Sequence, residues 1–150
     1  MGDVQRICVL NYLAEMKHLS ETLSEIDEQI EKQTSKLEGL SLSYSGMPGS
    51  PNANTDKLSE GVALLIELRE GWDAAYYSYA RELEHARLLC LPIYPERYLL
   101  WLHFVEGLTW RKVGEKVGYS PDHAQKLSHK GYEQLYQLMP ERFRRLPEAL

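Results

Sequence analysis

Along the first forty residues the apolar positions fall at Val9, Tyr12, Met16, Leu19, Leu23, Ile26, Ile30, Gln33, Leu37 and Leu40, in alternating steps of three and four. That spacing is a heptad seam, the stripe by which one long helix packs along another, and Gln33 is its one polar member. Glu15, Lys17, Glu21, Glu25, Asp27, Glu28, Glu31, Lys32 and Lys36 fill the positions between and read as a solvated surface. The pattern predicts one helix of roughly 35 residues, too long for an ordinary globular helix. The stretch SLSYSGMPGSPNANT then breaks the periodicity with Gly, Pro, Ser and Asn, and predicts a flexible loop near 41–55. Thr55 and Asp56 are candidate N-caps for a second helix beyond that loop.

A second periodic run comprises Leu58, Val62, Leu65, Arg69, Trp72, Tyr76, Tyr79, Leu83, Ala86 and Cys90. Arg69 interrupts it about as far from the loop as Gln33 interrupts the first, and a facing Gln33–Arg69 pair would set the register of an antiparallel hairpin. Residues 1–91 are therefore expected to form a coiled-coil-like helical hairpin. Leu64, Ile66, Leu68 and Tyr77 make its second helix wider in apolar surface than one seam uses. The surplus packs either on the rest of the chain or on another copy, so a homo-oligomer through the hairpin is one of two expectations.

Three shorter helices are expected over 92–139. Pro92 and Pro95 stop the long helix, and Pro95 suits the first turn of the next one, PERYLLWLHFVEG, whose Leu99, Leu100, Leu102, Phe104 and Val105 form a core face closed by Gly107. Thr109 caps a short helix with Trp110, Val113 and Val117 on one side, and Gly118 ends it in the left-handed conformation. Tyr119 would plug the corner. Ser120 and Pro121 start a third helix that buries Ala124, Leu127, Gly131, Leu135 and Leu138. Caps, glycines and apolar positions agree on a tri-helical domain with a helix-turn-helix. The fold class expected for the whole chain is thus all-α.

In a helix-turn-helix the exposed side of the last helix enters the major groove of double-stranded DNA. Here that side carries Ser120, Asp122, His123, Gln125, Lys126, His129 and Lys130. Gln125 suits adenine, Lys126 guanine or phosphate, and Asp122 the amino group of cytosine. Thr109, Arg111 and Lys112 stand at the start of the preceding helix, where backbone N–H groups and side chains hold phosphate. The closing segment, residues 140–150, reads as a basic tail with Arg142, Arg144 and Arg145 beside Phe143, either an arm for the DNA backbone, a handle for polymerase, or a frayed end.

The stretch from Leu91 to Leu135, with Arg97, Glu106 to Trp110, Val113, Val117, Gly118 to Ser120, His123, Ala124 and Leu127 at matching places, resembles region four of bacterial sigma factors. It is closer still to the sigma-like ArpU-type late-operon transcriptional regulators of prophages. The resemblance covers the last third of the chain and implies a sequence-specific regulator that reads promoter or operator DNA, with RNA polymerase as a further partner. Gly114 and Gly131 stand where that family leads one to expect alanine, and the last helix has no arginine. Two rival readings remain: a phage small terminase subunit, which usually places its DNA-binding part first, and an adaptor that binds only protein.

Charge divides with the pattern. Residues 1–94 hold 8 Lys+Arg against 15 Asp+Glu, and residues 95–150 hold 9 against 7, so an overall charge of −5 conceals a slightly basic C-terminal part. Cys8 and Cys90 lie far apart without a CxxC spacing, which points to a reduced, cytoplasmic protein rather than a disulfide framework, and the resemblance implies that the cytoplasm is that of a bacterial host. No membrane span, leader peptide, phosphate loop, HExxH or paired carboxylate is present in the pattern, so no cofactor, no metal and no enzymatic activity are expected. His103, set in an apolar run, reads as a core histidine with a satisfied hydrogen bond.

Overall fold

The computed structural model describes residues 2–45 and 51–145, and among these every regular element is helical. Helix α1 spans Asp3–Ser45 and α2 spans Pro51–Leu89. The expected loop is therefore shorter than 41–55: the backbone stays helical through Ser45 and is helical again from Pro51, and residues 46–50 lie outside the described residues. Pro51 takes the first helical position, where its missing N–H costs nothing, so Thr55 and Asp56 sit inside the helix and are not its caps. Contacts divide the chain into two units, Met1–Ser20 with Arg81–Leu150, and Glu21–Ala80. Both long helices contribute to both units, so the division does not fall at residue 91.

In the unit of residues 21–80 the first seam is as expected: Leu23 is buried and Ile26, Ile30, Gln33 and Leu37 are half-buried. The second seam is shifted. Gly61 and Leu68 turn inward, while Val62 and Arg69 are exposed. The inward positions run Leu58, Gly61, Leu65, Leu68, Trp72, Tyr76 and Tyr79. An apolar Leu68 in place of a guanidinium avoids burying a charge, and Gly61 lies so close to Leu37 that a Cβ there would meet Leu37 Cδ2 at 2.4 Å. The expected Gln33–Arg69 register pair is therefore not formed.

The other unit holds the dense core. From α1 it buries Cys8, Val9, Tyr12, Leu13, Met16 and Leu19, from α2 Ala86, and just beyond α2 Cys90. Each large apolar side chain so removed from water contributes about 1.5–3 kcal/mol. Helix α3, Pro95–Leu100, starts on proline and runs into a π-helical turn, Trp101–Val105, closed by the Glu106 N–H donating to the Trp101 carbonyl at 3.0 Å. The wider turn sends Trp101, Leu102 and Val105 inward together. Gly107, with φ of 74°, then reverses the chain. Helix α4 spans Trp110–Val117 and α5 spans Pro121–Leu138.

Arg97 joins three elements. Only 8% exposed, its Nε donates to the Leu89 carbonyl at the end of α2 at 2.6 Å, and its Nη1 donates to Gln134 Oε1 on α5 at 3.4 Å. Its guanidinium also lies 4.0 Å from the centre of the Tyr94 ring. A cation at the negative end of a helix, stacked on an aromatic face, offsets its own desolvation without a carboxylate.

The basic tail is put to structural use as far as it is described. Arg142 pairs with Glu82, and Arg144 donates from Nε to the Met139 carbonyl at 3.2 Å and from Nη2 to Gln137 at 2.7 Å, capping α5. Phe143 packs on Tyr12 with ring centres 4.9 Å apart. Through Arg145 it is a docked turn rather than a free arm, and residues 146–150 lie outside the described residues.

Gly131 marks a place where backbone meets backbone. A Cβ on Gly131 would lie 2.6 Å from the Glu96 carbonyl oxygen where α5 crosses α3, whereas one on Gly71 would meet nothing. Gly131→Ala is expected to lower unfolding free energy by about 1–3 kcal/mol, while Gly71→Ala raises it by about 0.5–1 kcal/mol through helix propensity alone. Urea denaturation of both variants checks the contrast.

The thiols give a second test. Cys8 and Cys90 are both free and buried, and burial pushes the Cys90 thiol from 9.0 up to about 12, against a smaller opposing pull from Arg97. Desolvation raises Tyr12 as well. These groups stay protonated in the fold and lose protons sooner when unfolded, so their contribution to stability is level below about pH 9 and falls above it. Cys90→Ala should reduce that fall by up to about 1.4 kcal/mol per pH unit between pH 9 and 12, read from denaturation midpoints.

Candidate functional site

Helix α4 begins where the Thr109 hydroxyl accepts the Lys112 N–H at 3.3 Å. It ends at Gly118, with φ of 81° and ψ of 28°, whose N–H donates to the Gly114 carbonyl at 2.8 Å. The next N–H, from Tyr119, donates to the same carbonyl at 2.9 Å. This closed end needs a positive φ at Gly118, which only glycine adopts without strain. It also folds the chain back onto α4, because a Cβ on Gly114 would stand 2.4 Å from the Tyr119 carbonyl oxygen. Ser120 then caps α5 by accepting the His123 N–H at 3.1 Å, and Pro121 occupies the first helical position. The reversal from α4 to α5 takes three residues, Gly118, Tyr119 and Ser120.

Beneath this corner lies a small apolar core. Leu99, Leu102, Val113 and Ala124 are buried together, with Tyr98, Leu108, Trp110, Val117 and Leu127 packed around them. His103 supports it from the side: its ring stacks on Trp110 at 4.1 Å, and Nδ1 lies 2.7 Å from the Leu108 carbonyl. A carbonyl accepts only, so Nδ1 carries the proton and the histidine serves packing. Helix α5 buries Ala124, Ser128, Gly131, Tyr132 and Leu135 on the inner side, while Leu138 is 44% exposed. The expected burial of Leu138 thus passes to Met139, where the chain leaves the helix and turns inward. Tyr119 does not plug the corner; 39% exposed, it meets His123 edge-on at 4.7 Å.

All ten residues singled out from the sequence are exposed. They form three groups. Asp122, Gln125, Lys126, His129 and Lys130 recur at helical spacing on the outer side of α5, opposite its buried residues, and Glu133 continues the row. Ser120 in the turn is committed to its cap, and His123 in the first turn of α5 to its contact with Tyr119. Thr109, Arg111 and Lys112 border a shallow depression with Glu115 at the start of α4, and Arg111 reaches Glu115 at 3.5 Å. That pair is largely solvated, so it holds the guanidinium only weakly.

The charge along α5 is nearly balanced: Lys126 and Lys130 are offset by Asp122 and Glu133. The outer side of α5 is therefore polar and hydrogen-bonding more than cationic. Sequence reasoning passed over Glu133, whose spacing from Lys126 and Lys130 places it in the same row. It also passed over Lys116, which lies 3.8 Å from Glu106 and lines a second hollow with Pro92, Pro95, Tyr98, Val117 and Tyr119. Among the described residues no group of His, Cys, Asp and Glu is arranged to hold a metal ion, and no helix is long and apolar enough to cross a membrane.

The cap hydrogen bonds supply a local test. Ser120→Ala removes the acceptor for the His123 N–H and is expected to cost about 1 kcal/mol of stability, with Ser120→Asp close to neutral. Thermal denaturation followed by circular dichroism reads the difference.

No family model, curated protein or solved structure matches this chain.

Proposed function

We propose that the chain is a sequence-specific DNA-binding transcription regulator of phage or prophage type, in which α4 and α5 form a helix-turn-helix and α5 reads the major groove. The observation that carries this reading is the three-residue glycine corner between two capped helices, with a wholly polar row on the outer side of the second. A helix that lies in the major groove needs such a row, free of bulky apolar groups and backed by a rigid core. In this reading Gln125 pairs with adenine through both its amide atoms, Lys126 donates to guanine, and Asp122 accepts from the amino group of cytosine. Thr109, Arg111 and Lys112 hold a phosphate and set the register.

The near-balanced charge of α5 makes such a reader dependent on base contacts and on a second anchoring point, whether another copy or RNA polymerase. The acidic surplus then limits stray binding. Residues 21–80 hold 4 Lys+Arg against 11 Asp+Glu, and that part of the chain repels DNA. The hollow lined by Pro92, Pro95, Tyr98 and Tyr119, with Ile93 73% exposed beside Pro92, favours a second reading: an adaptor whose partner is a protein.

The experiment is selection of binders from a pool of randomised duplexes, with affinities then measured by fluorescence anisotropy across salt. A short enriched motif is expected. With Arg111, Lys112 and Lys130 on phosphates, log K should fall against log salt with a slope of about −2.7, and Lys130→Ala should remove about one unit of it. The triple variant Gln125→Ala, Lys126→Ala, Lys130→Ala should bind the motif on the order of 100-fold more weakly while unfolding at an unchanged temperature. A folded protein that enriches no motif at low salt would sink the DNA reading and leave the adaptor.

A further inference from the structure

The shift of the second seam leaves a stripe on α2 uncovered. Val62, Ile66, Arg69, Asp73 and Tyr77 are spaced by three and four, so they follow one line along the helix, about a quarter-turn from the inward residues Leu65, Leu68 and Trp72. Val62, Ile66 and Tyr77 are 41%, 53% and 69% exposed, and Arg69 and Asp73 are exposed between them. Within residues 21–80 only Leu23 is buried among the described residues. Two helices cover too little of each other to exclude water from either, and an assembly of this size ordinarily gains stability by association.

We propose that this stripe binds a second copy of the chain, with the two α2 helices antiparallel about a two-fold axis between Arg69 and Asp73. The order of residues is self-complementary. Turned end for end, the stripe sets Arg69 against Asp73 of the second copy, Ile66 beside Tyr77, and Val62 against Ala80. Symmetry makes each contact twice, giving two ion pairs flanked by two apolar clusters along about 27 Å of helix. None of the ion pairs among the described residues engages Arg69 or Asp73. Electrostatics selects the same face. Residues 21–80 carry a net charge of −7, from 4 basic and 11 acidic groups, so two copies repel across most approaches. Along this stripe one cation and one anion balance, and they lie where two-fold symmetry brings opposite signs together.

The inference goes beyond the DNA-reading proposal and does not rest on it, since the test needs no DNA. Sedimentation equilibrium of the full chain should give about twice the monomer mass of 17.4 kDa. Arg69→Asp or Asp73→Arg alone sets like charges together twice and should weaken the dimer roughly tenfold or more. The double variant restores opposite charges across the axis and should recover the wild-type dimer. Ile66→Lys should abolish it. All these positions are exposed, and circular dichroism verifies that the helices persist in each variant. A wild-type monomer at every accessible concentration would overturn the proposal. So would a dimer indifferent to the single reversals, or single losses that the double variant fails to rescue.

Discussion

Backbone touches backbone at Gly131 and Gly114, and the C-terminal arrangement depends on those two approaches. At Gly131 helix α5 comes within reach of the Glu96 carbonyl on α3. At Gly114 the chain leaving α4 turns back over it, with the Tyr119 carbonyl where a side chain would begin. Any Cβ at either place would lever a helix outward by a good fraction of an ångström, more than a close-packed interior absorbs cheaply. The separation so set brings Val113 and Ala124 into one core with Leu99 and Leu102. The polar row on α5 is aimed outward as a consequence.

The resemblance to sigma-like regulators led to alanine at both positions, and the structure accounts for glycine instead. In this chain the backbone at both positions lies closer than an alanine permits. Arg97 adds a second tie. Its bonds to Leu89 and Gln134 couple the end of α2 to α5, and its place on the Tyr94 ring keeps the cation from needing a carboxylate partner. Arg144 does similar work at the C-terminal end of α5, where it closes the Gln137 and Met139 carbonyls. The basic groups of the C-terminal part are thus divided between holding the helices and facing outward, and a residue count cannot tell the two uses apart.

Local signals were legible where they depend on neighbours in sequence. The caps at Thr109 and Ser120, the positive φ at Gly107 and Gly118, and the first seam all follow from steric rules or periodicity within a few residues. The second seam was misjudged because Val62 and Gly61, and Arg69 and Leu68, offer rival inward positions one residue apart. Periodicity alone chose the larger residue at 62 and the better spacing at 69. Close approach to Leu37 and the cost of burying a guanidinium chose otherwise. The loop was overdrawn for a related reason: Pro51 looked like an interruption, yet at the first turn of a helix it is a start.

By itself the sequence determined that the described chain is helical, where most helices begin and end, and which ten residues would face water near the α4–α5 corner. Those properties are set by backbone stereochemistry and by polar groups that need a partner or solvent. Tertiary structure decided what no local rule reaches: that residues 1–20 join the C-terminal unit, that Arg97 and Arg144 serve as ties, and that the stripe from Val62 to Tyr77 is left uncovered. Each depends on which surfaces meet across long stretches of chain. Burial is a property of both surfaces, and only one of them is written at any given position.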